Sequence, residues 1–503
     1  MTSGSRIGIV GAGVAGLACA KVLSQAGFEV EVFDKTPDVG GGWSATRRYP
    51  GLRSVTRKVT DAFSDHPMPE DYPSVPDGQQ MQAYLAGYVQ EFGLGPKLRL
   101  NTEVIAADPV DSGWLLEIRD ETGGHHTSCD HLIVANGIAS DPLMPEFEGQ
   151  AAFEAAGGRL HHVSRFPDVD RVRDRSVVVV GAGSDACDFA EAVSHLADET
   201  SIVATSLPWK LPRRFGFGVD HEQLVLTRLG EAHLASRQPS RPERLLNWFR
   251  FSEANLDLMQ ERVIRREKLR DLNLIPAGRL GDSAGAGVHL ATEGFTAQIE
   301  AGRIAVHRDT EIVELIGGRH GPAVRLSDGS LKLAEIVVCA TGYRQAVPFL
   351  TPFVRRALTD DNGDFRLYRH LLPVGVANLS FVGYNSSAAD FLTAEVSAHW
   401  IAGLLTGKVR TPSVDDMSAE IDERLAWSRA NVPAEGHLHG ASVAPFTLAY
   451  LDTLLRDLGT KLPLRARLRQ WVLPLRASAY RGVLRGPVGT GDAARPLMTS
   501  DRG

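Results

Sequence analysis

Cysteine is scarce in this chain, with four in 503 residues: Cys19, Cys129, Cys187 and Cys339. No two stand at CxxC spacing, which argues against a redox dithiol and a Cys-rich zinc site. Such sparse use suits a reducing cytoplasm, the expected location. Long apolar runs are missing too. No stretch of about 18 apolar residues occurs, and the opening MTSGSRIGIVGAG reads neither as a signal peptide nor as a membrane span. Positive charge is not in excess. Lys and Arg number 54 against 61 Asp and Glu, a net charge of −7, whereas general nucleic-acid binding needs a basic surface. No repeat period stands out, and 50 Gly with 27 Pro are too few for a repetitive or disordered chain. What remains is 43% hydrophobic and 23% charged, an ordinary globular composition long enough for two or three domains.

Two segments repeat one pattern. Arg6 to Val10 (RIGIV) reads as a buried strand, GAGVAGLACAKVLSQAG as a helix stopping at Gly27, and Phe28 to Phe33 as a second strand. About 170 residues later come Arg175 to Val180, then GAGSDACDFAEAVSHLA, then Ser201 to Ala204. Each is a βαβ unit of a parallel sheet. Between them, 43–75 reads as loop, 79–92 as a helix and 98–135 as short strands. A polar, helix-prone insertion follows at about 220–272. IEAGRIAVHRD, VELIG, AVRLSDG and EIVVCATGY then read as hairpin-like strands, and 389–503 as mainly helical.

The glycines carry chemistry. Gly11 permits a tight turn, Gly13 lets a pyrophosphate approach the backbone beside Ala12, and Gly16 lets helix and strand pack closely. The helix N-terminus then offers free N–H groups to phosphate. Asp34 closes the second strand, 18 residues after Gly16, where an acid binds a ribose hydroxyl pair. In the second unit Gly181, Gly183, Ser184 and Asp185 form the equivalent cradle, with Ala186 as the permitted third residue. No acid occupies its ribose position. Thr205 and Ser206 stand there, followed by Lys210, Arg213 and Arg214, which favours the 2′-phosphate of NADPH; a merely solvated cationic loop is the bland reading. Two such folds in one chain point to FAD in the first and a nicotinamide donor in the second.

Further motifs resemble the flavin-containing monooxygenases, within the class B flavoprotein monooxygenases that include the Baeyer–Villiger enzymes. They are Gly40-Gly41-Gly42-Trp43, Arg48-Tyr49-Pro50-Gly51-Leu52-Arg53, FSDHPMPEDYP at 63–73, GRLHHVSRFP at 158–167 around His162, and ATGY at 340–343. Leu367 to His370 and Phe391 to Glu395 extend the likeness over nearly the whole length. The implied fold is α/β, with two Rossmann-like domains, the second inserted into the first, and a mainly helical C-terminal region. Its parts are 1–168, the first part of the FAD domain; 169–330, the NADPH domain with the insertion; and 331–503, the rest. Lys35, Gly42, Trp43 and Val104 join the expected FAD set, and His162 orders the interdomain linker.

The resemblance implies that NADPH reduces FAD and that O₂ forms a C4a-(hydro)peroxyflavin, which passes one oxygen atom to a small molecule. Nitrogen or sulfur is the favoured acceptor. Baeyer–Villiger oxidation of a ketone stays open, as does an uncoupled NADPH oxidase or a nucleotide-sensing flavoprotein. The polar residue that both branches keep near the flavin falls on Val55, with Asn385 a substitute from another loop. Arg53 and Arg279 are the cations available beside the reacting oxygen. A homodimer is compatible with the chain. The arginines Arg465, Arg467, Arg469, Arg476, Arg481 and Arg485 read as a solvated helix face, with anionic lipid as the alternative.

Overall fold

The computed structural model describes the chain except residues 2–3, 167, 217–218, 234–252, 284–288, 319–320, 386, 432–446 and 486–503. Parts of the expected insertion and of the C-terminal region therefore lie outside the described residues.

Two five-stranded parallel sheets organise the molecule. In the first, Leu379–Phe381, His131–Val134, Arg6–Val10, Glu29–Phe33 and Leu98–Arg99 lie side by side in that order. In the second the order is Ile304–Arg308, Glu199–Ala204, Ser176–Val180, Ile336–Cys339 and Arg159–His162. Each glycine motif follows the central strand. Central parallel strands are covered on both faces, which is why RIGIV and SVVVV are continuous apolar runs and Ile7, Ile9, Val177, Val178 and Val179 are buried. The helices Val14–Gln25 and Ser184–Val193 follow the two loops. Each sheet also carries a three-stranded antiparallel meander, Glu103–Cys129 on the first and Ile312–Leu333 on the second.

Two expectations are corrected. IEAGRIAVHRD is not a hairpin strand: Phe295–Glu300 is a helix, and Ile304–Arg308 pairs in parallel with Glu199–Ala204. The helix supplies the crossover that parallel pairing demands. The bounds 169–330 also miss two strands of the second sheet, Arg159–His162 and Ile336–Cys339. Without them one edge of Ser176–Val180 would keep unpaired backbone N–H and C=O groups in a buried position.

The helix Asp390–Leu405 is apolar nearly all round and buried from Phe391 to Gly403. It packs on Val14–Gln25, so the C-terminal part of the chain closes the first domain. The insertion contributes His221–Val225, Arg228–His233 and Glu253–Arg266. Its first two helices reach away from their own sheet. Arg228 pairs with Asp452 at 2.7 Å, and buried Glu231 accepts the backbone N–H of Leu448 at 2.6 Å and of Ala449 at 3.1 Å. Those two amides open the helix Thr447–Asp457. Among the described residues no helix is long and apolar enough to cross a membrane.

Candidate functional site

The first cradle is built by close backbone contacts. A Cβ on Gly16 would stand 1.8 Å from the carbonyl oxygen of Gly11, so only glycine lets this helix start here. Gly13 caps the helix with extended backbone and no side-chain hydrogen bond. The first-turn N–H groups therefore have no side-chain acceptor and suit an anion. A Cβ on Gly13 would meet the backbone of Gly41 at 3.4 Å, so the GGW turn Gly41–Trp43 walls the cradle. Asp34 fastens this loop. Its Oδ2 accepts the N–H of buried Ala12 at 2.6 Å, and its Oδ1 accepts both the N–H and the hydroxyl of Thr36. An ionised carboxylate offers about four acceptor positions, so Oδ2 keeps one for a ribose hydroxyl. Lys35 and Gly42 are exposed, Trp43 is half-buried against the first core, and Val104 is buried at the start of the meander.

The second cradle repeats this with differences. Gly183 caps its helix without a side-chain bond, and a Cβ there would meet nothing within 4 Å. That open space fits a pyrophosphate. The Ser184 hydroxyl donates to the carbonyl of Leu290 at 3.4 Å. Thr205 and Ser206 are exposed just past Glu199–Ala204, free to meet a 2′-phosphate. The expected cations are placed less simply. Lys210 lines a cavity of about 50 Å³ with Cys187, Glu267, Thr292 and Phe295. Arg213 donates to the carbonyl of Val55 at 2.9 Å and so serves the loop between the domains. Arg214 is exposed.

That loop joins the two cradles. Tyr49 donates its hydroxyl to Asp185 at 2.9 Å. Gly51 has φ +88°, and a Cβ there would come within 2.3 Å of the carbonyl oxygen of Asp188. The Asp188 carboxyl is pushed up to about 6 by burial, while its bond from Thr292 and the nearby Arg213 and Arg53 oppose the rise. Thus Arg53, Val55 and Arg213 come together at the helix Ser184–Val193. Val55 is 53% exposed. Arg279 is elsewhere, paired with Asp257 at 2.7 Å on the insertion, so it is no candidate for the site.

Past Val55 the chain turns inward. Ser54 donates its hydroxyl to Asp61 at 2.6 Å. Arg57 grips Glu222, donating from Nε at 2.9 Å and Nη2 at 2.7 Å. Burial pushes the Asp61 carboxyl up to about 7, and the charge of Glu222 adds to it. Asp390 is pushed up to about 8 by burial and then by Asp61. Asp390 stands at the start of the helix Asp390–Leu405. Asn385 is buried on the turn leading to Asp390, beside Tyr384, whose hydroxyl donates to Asn136 at 2.6 Å. Sequence reasoning missed Asp61, Asp390, Asn136 and the Arg57–Glu222 pair. Only Asp390 had a local signal, an acid opening a strongly apolar helix.

His162 is buried. Its Nε2 donates to the carbonyl of Gly342 at 3.0 Å, and its Nδ1 accepts the N–H of Ser164 at 3.2 Å. Burial lowers its pKa, so a neutral imidazole ties the linker to the ATGY turn.

The sequence profile of the flavin-binding monooxygenase-like family matches residues 4–468. By sequence the chain is similar to human flavin-containing monooxygenase 1, at 26% identity over 475 residues, 91% of this chain and 83% of that protein. The dog flavin-containing monooxygenase 3 is 25% identical over 492 residues, again 91% and 83%. Among solved structures, the S-allyl-L-cysteine S-oxygenase of Allium sativum superposes with TM-score 0.60 at 19% identity, covering 93% of this chain and 91% of that one. A closed cyclohexanone monooxygenase superposes with TM-score 0.69 at 18% identity, covering 91% and 98%. At these identities the two structures speak to the fold alone.

Proposed function

The chain belongs to the flavin-binding monooxygenase-like family, and from that premise we propose that this FAD- and NADPH-dependent monooxygenase places one oxygen atom of O₂ on a nitrogen or sulfur atom of a small molecule. Bound FAD, once reduced by NADPH, supplies the oxygen activation. The chain supplies the rest. The uncapped helix ends at Gly13 and Gly183 would hold the two pyrophosphates. Asp34 would orient the first ribose, and Thr205 with Ser206 would meet the 2′-phosphate. The loop from Tyr49 to Val55 would keep the two cofactors in register.

The observation that carries the acceptor choice is the carboxyl pair behind Val55. Burial raises the Asp61 carboxyl to about 7 and the Asp390 carboxyl to about 8. Carboxyl groups with raised pKa, able to share a proton, support transfer of an electrophilic oxygen, which lone pairs on nitrogen or sulfur accept. A ketone acceptor is the second reading. The cation Arg53 beside Val55 favours it, because nucleophilic attack on a carbonyl wants a fixed positive charge near the attacking oxygen. Incubating the enzyme with NADPH, O₂ and matched amines, sulfides and cyclic ketones decides between them by product mass. N- or S-oxides support the proposal, and ester or lactone products alone transfer it to the second reading.

A further inference from the structure

Between Asp457 and Asp492 the sequence contains no acidic residue, yet it holds Lys461, Arg465, Arg467, Arg469, Arg476, Arg481 and Arg485. This stands out on a chain of net charge −7. The structure adds that the same segment is apolar on two faces. Inward, Leu462, Leu475, Tyr480 and Leu484 are buried in the first core. Thr60 donates its hydroxyl to the carbonyl of Leu475 at 3.1 Å, and the N–H of Ala477 donates to Val59 at 3.1 Å, so the segment is firmly seated. Outward, Leu464 is 72% exposed, Leu468 59%, Val472 62% and Leu473 41%. The first three are spaced by four, the stripe of one helical face, along Leu464–Arg469 and the turn after it. No folding requirement puts them there, since the inner face already binds the segment to the core.

The charges around the stripe are short of partners. Among the described residues no carboxylate pairs with Arg465, Arg476, Arg481 or Arg485, and Arg467 meets Asp452 only at 3.5 Å. Burial and the neighbouring guanidiniums of Arg476 and Arg57 lower the pKa of Arg469. Trp471, in the turn after Leu464–Arg469, is half-buried.

We infer that this face docks on an anionic lipid surface, with Leu464, Leu468, Val472 and Leu473 entering the headgroup boundary and the surrounding arginines meeting lipid phosphates. Exposed aliphatics ringed by arginine are what interfacial binding uses, and each basic residue near an anionic surface adds to the attraction. A second protein copy would bring the same positive charge to the same face and be repelled. The segment touches the 57–61 turn, so docking would set the candidate site next to the bilayer.

The test is flotation of the FAD-loaded full-length protein with vesicles. Phosphatidylcholine alone is compared with phosphatidylcholine mixed equally with phosphatidylglycerol, at low and high salt. Two double variants are included, L464S with L468S and R465Q with R476Q, all at exposed positions outside the site. Wild type should float with the anionic vesicles only, and high salt should release it. Each double variant should partition about tenfold less while keeping its FAD absorbance and NADPH oxidation. No flotation of the wild type, or equal flotation of the variants, would overturn the inference. So would a wild-type dimer in size-exclusion chromatography that L464S with L468S dissociates, because the leucines would then serve a second copy.

Discussion

Tyr49 donates its hydroxyl to Asp185 at 2.9 Å, and that bond fixes the loop after the first cradle to the first turn of the second glycine-loop helix. The two residues are 136 positions apart and belong to different Rossmann units. Transfer of a hydride from a nicotinamide to a flavin needs the two rings in contact, so a bond that sets the relation of the two cradles acts on that step.

Tyr49→Phe should therefore slow reduction of the flavin by NADPH about tenfold, with FAD content unchanged. A hydrogen bond to a charged group contributes roughly 1.5–3 kcal/mol, and about 1.4 kcal/mol corresponds to a factor of ten. Anaerobic stopped-flow bleaching of the flavin measures it. An unchanged rate would mean that the loop does not set the alignment.

Gly183→Ala should fold normally, because its new methyl group meets nothing within 4 Å. The methyl would fill the space proposed for the NADPH pyrophosphate. We expect KM for NADPH to rise about tenfold while FAD stays bound. Retained wild-type KM would place the pyrophosphate elsewhere. Gly16→Ala contrasts with it: the 1.8 Å contact forces the first loop apart, so FAD should be lost.

The cradles were legible in the sequence because each is local. Strand, glycines, helix, strand and Asp34 fall within about thirty residues and obey fixed geometry. The second sheet was less legible, since Arg159–His162 and Ile336–Cys339 join it from far along the chain and a short apolar run does not announce its partner. Lys210 and Arg213 were assigned by nearness in sequence to Thr205, but their side chains follow the tertiary environment, one toward Cys187 and Glu267 and the other toward Val55. Glu222 seizing Arg57 across 165 positions leaves no local trace at all.

That placement changes what the cation variants should do. Wild type should use NADPH in preference to NADH. Lys210→Ala should cut kcat/KM for NADPH about tenfold and leave NADH nearly unaffected, if its ammonium swings to the 2′-phosphate. Arg213→Ala should slow both donors alike, because it frees the Val55 carbonyl and with it the interdomain loop. Steady-state kinetics with both donors read the difference. An NADH preference in the wild type would reject the 2′-phosphate assignment.

Asp61 makes a pH prediction. Its carboxyl rises from 3.8 to about 7 through burial, so between those values the folded state keeps a proton that the unfolded state releases. Stability from this group is present below the unfolded pKa and is lost as pH rises through the folded value, at most about 1.4 kcal/mol per pH unit. Asp61→Asn keeps an acceptor for Ser54 and does not ionise. Its Tm relative to wild type should therefore climb across this window and level off above about pH 7. Thermal unfolding at a series of pH values gives the curve. A flat difference would show that Asp61 is ionised throughout.

The central claim is oxygen transfer coupled to NADPH. The most direct measurement supplies ¹⁸O₂ and NADPH with a tertiary amine or a thioether, and follows label in the product beside hydrogen peroxide release. The account predicts one labelled oxygen atom on nitrogen or sulfur per product molecule, with peroxide a minor fraction of the NADPH consumed. Peroxide equal to NADPH consumed with every acceptor, and no labelled product, would contradict it.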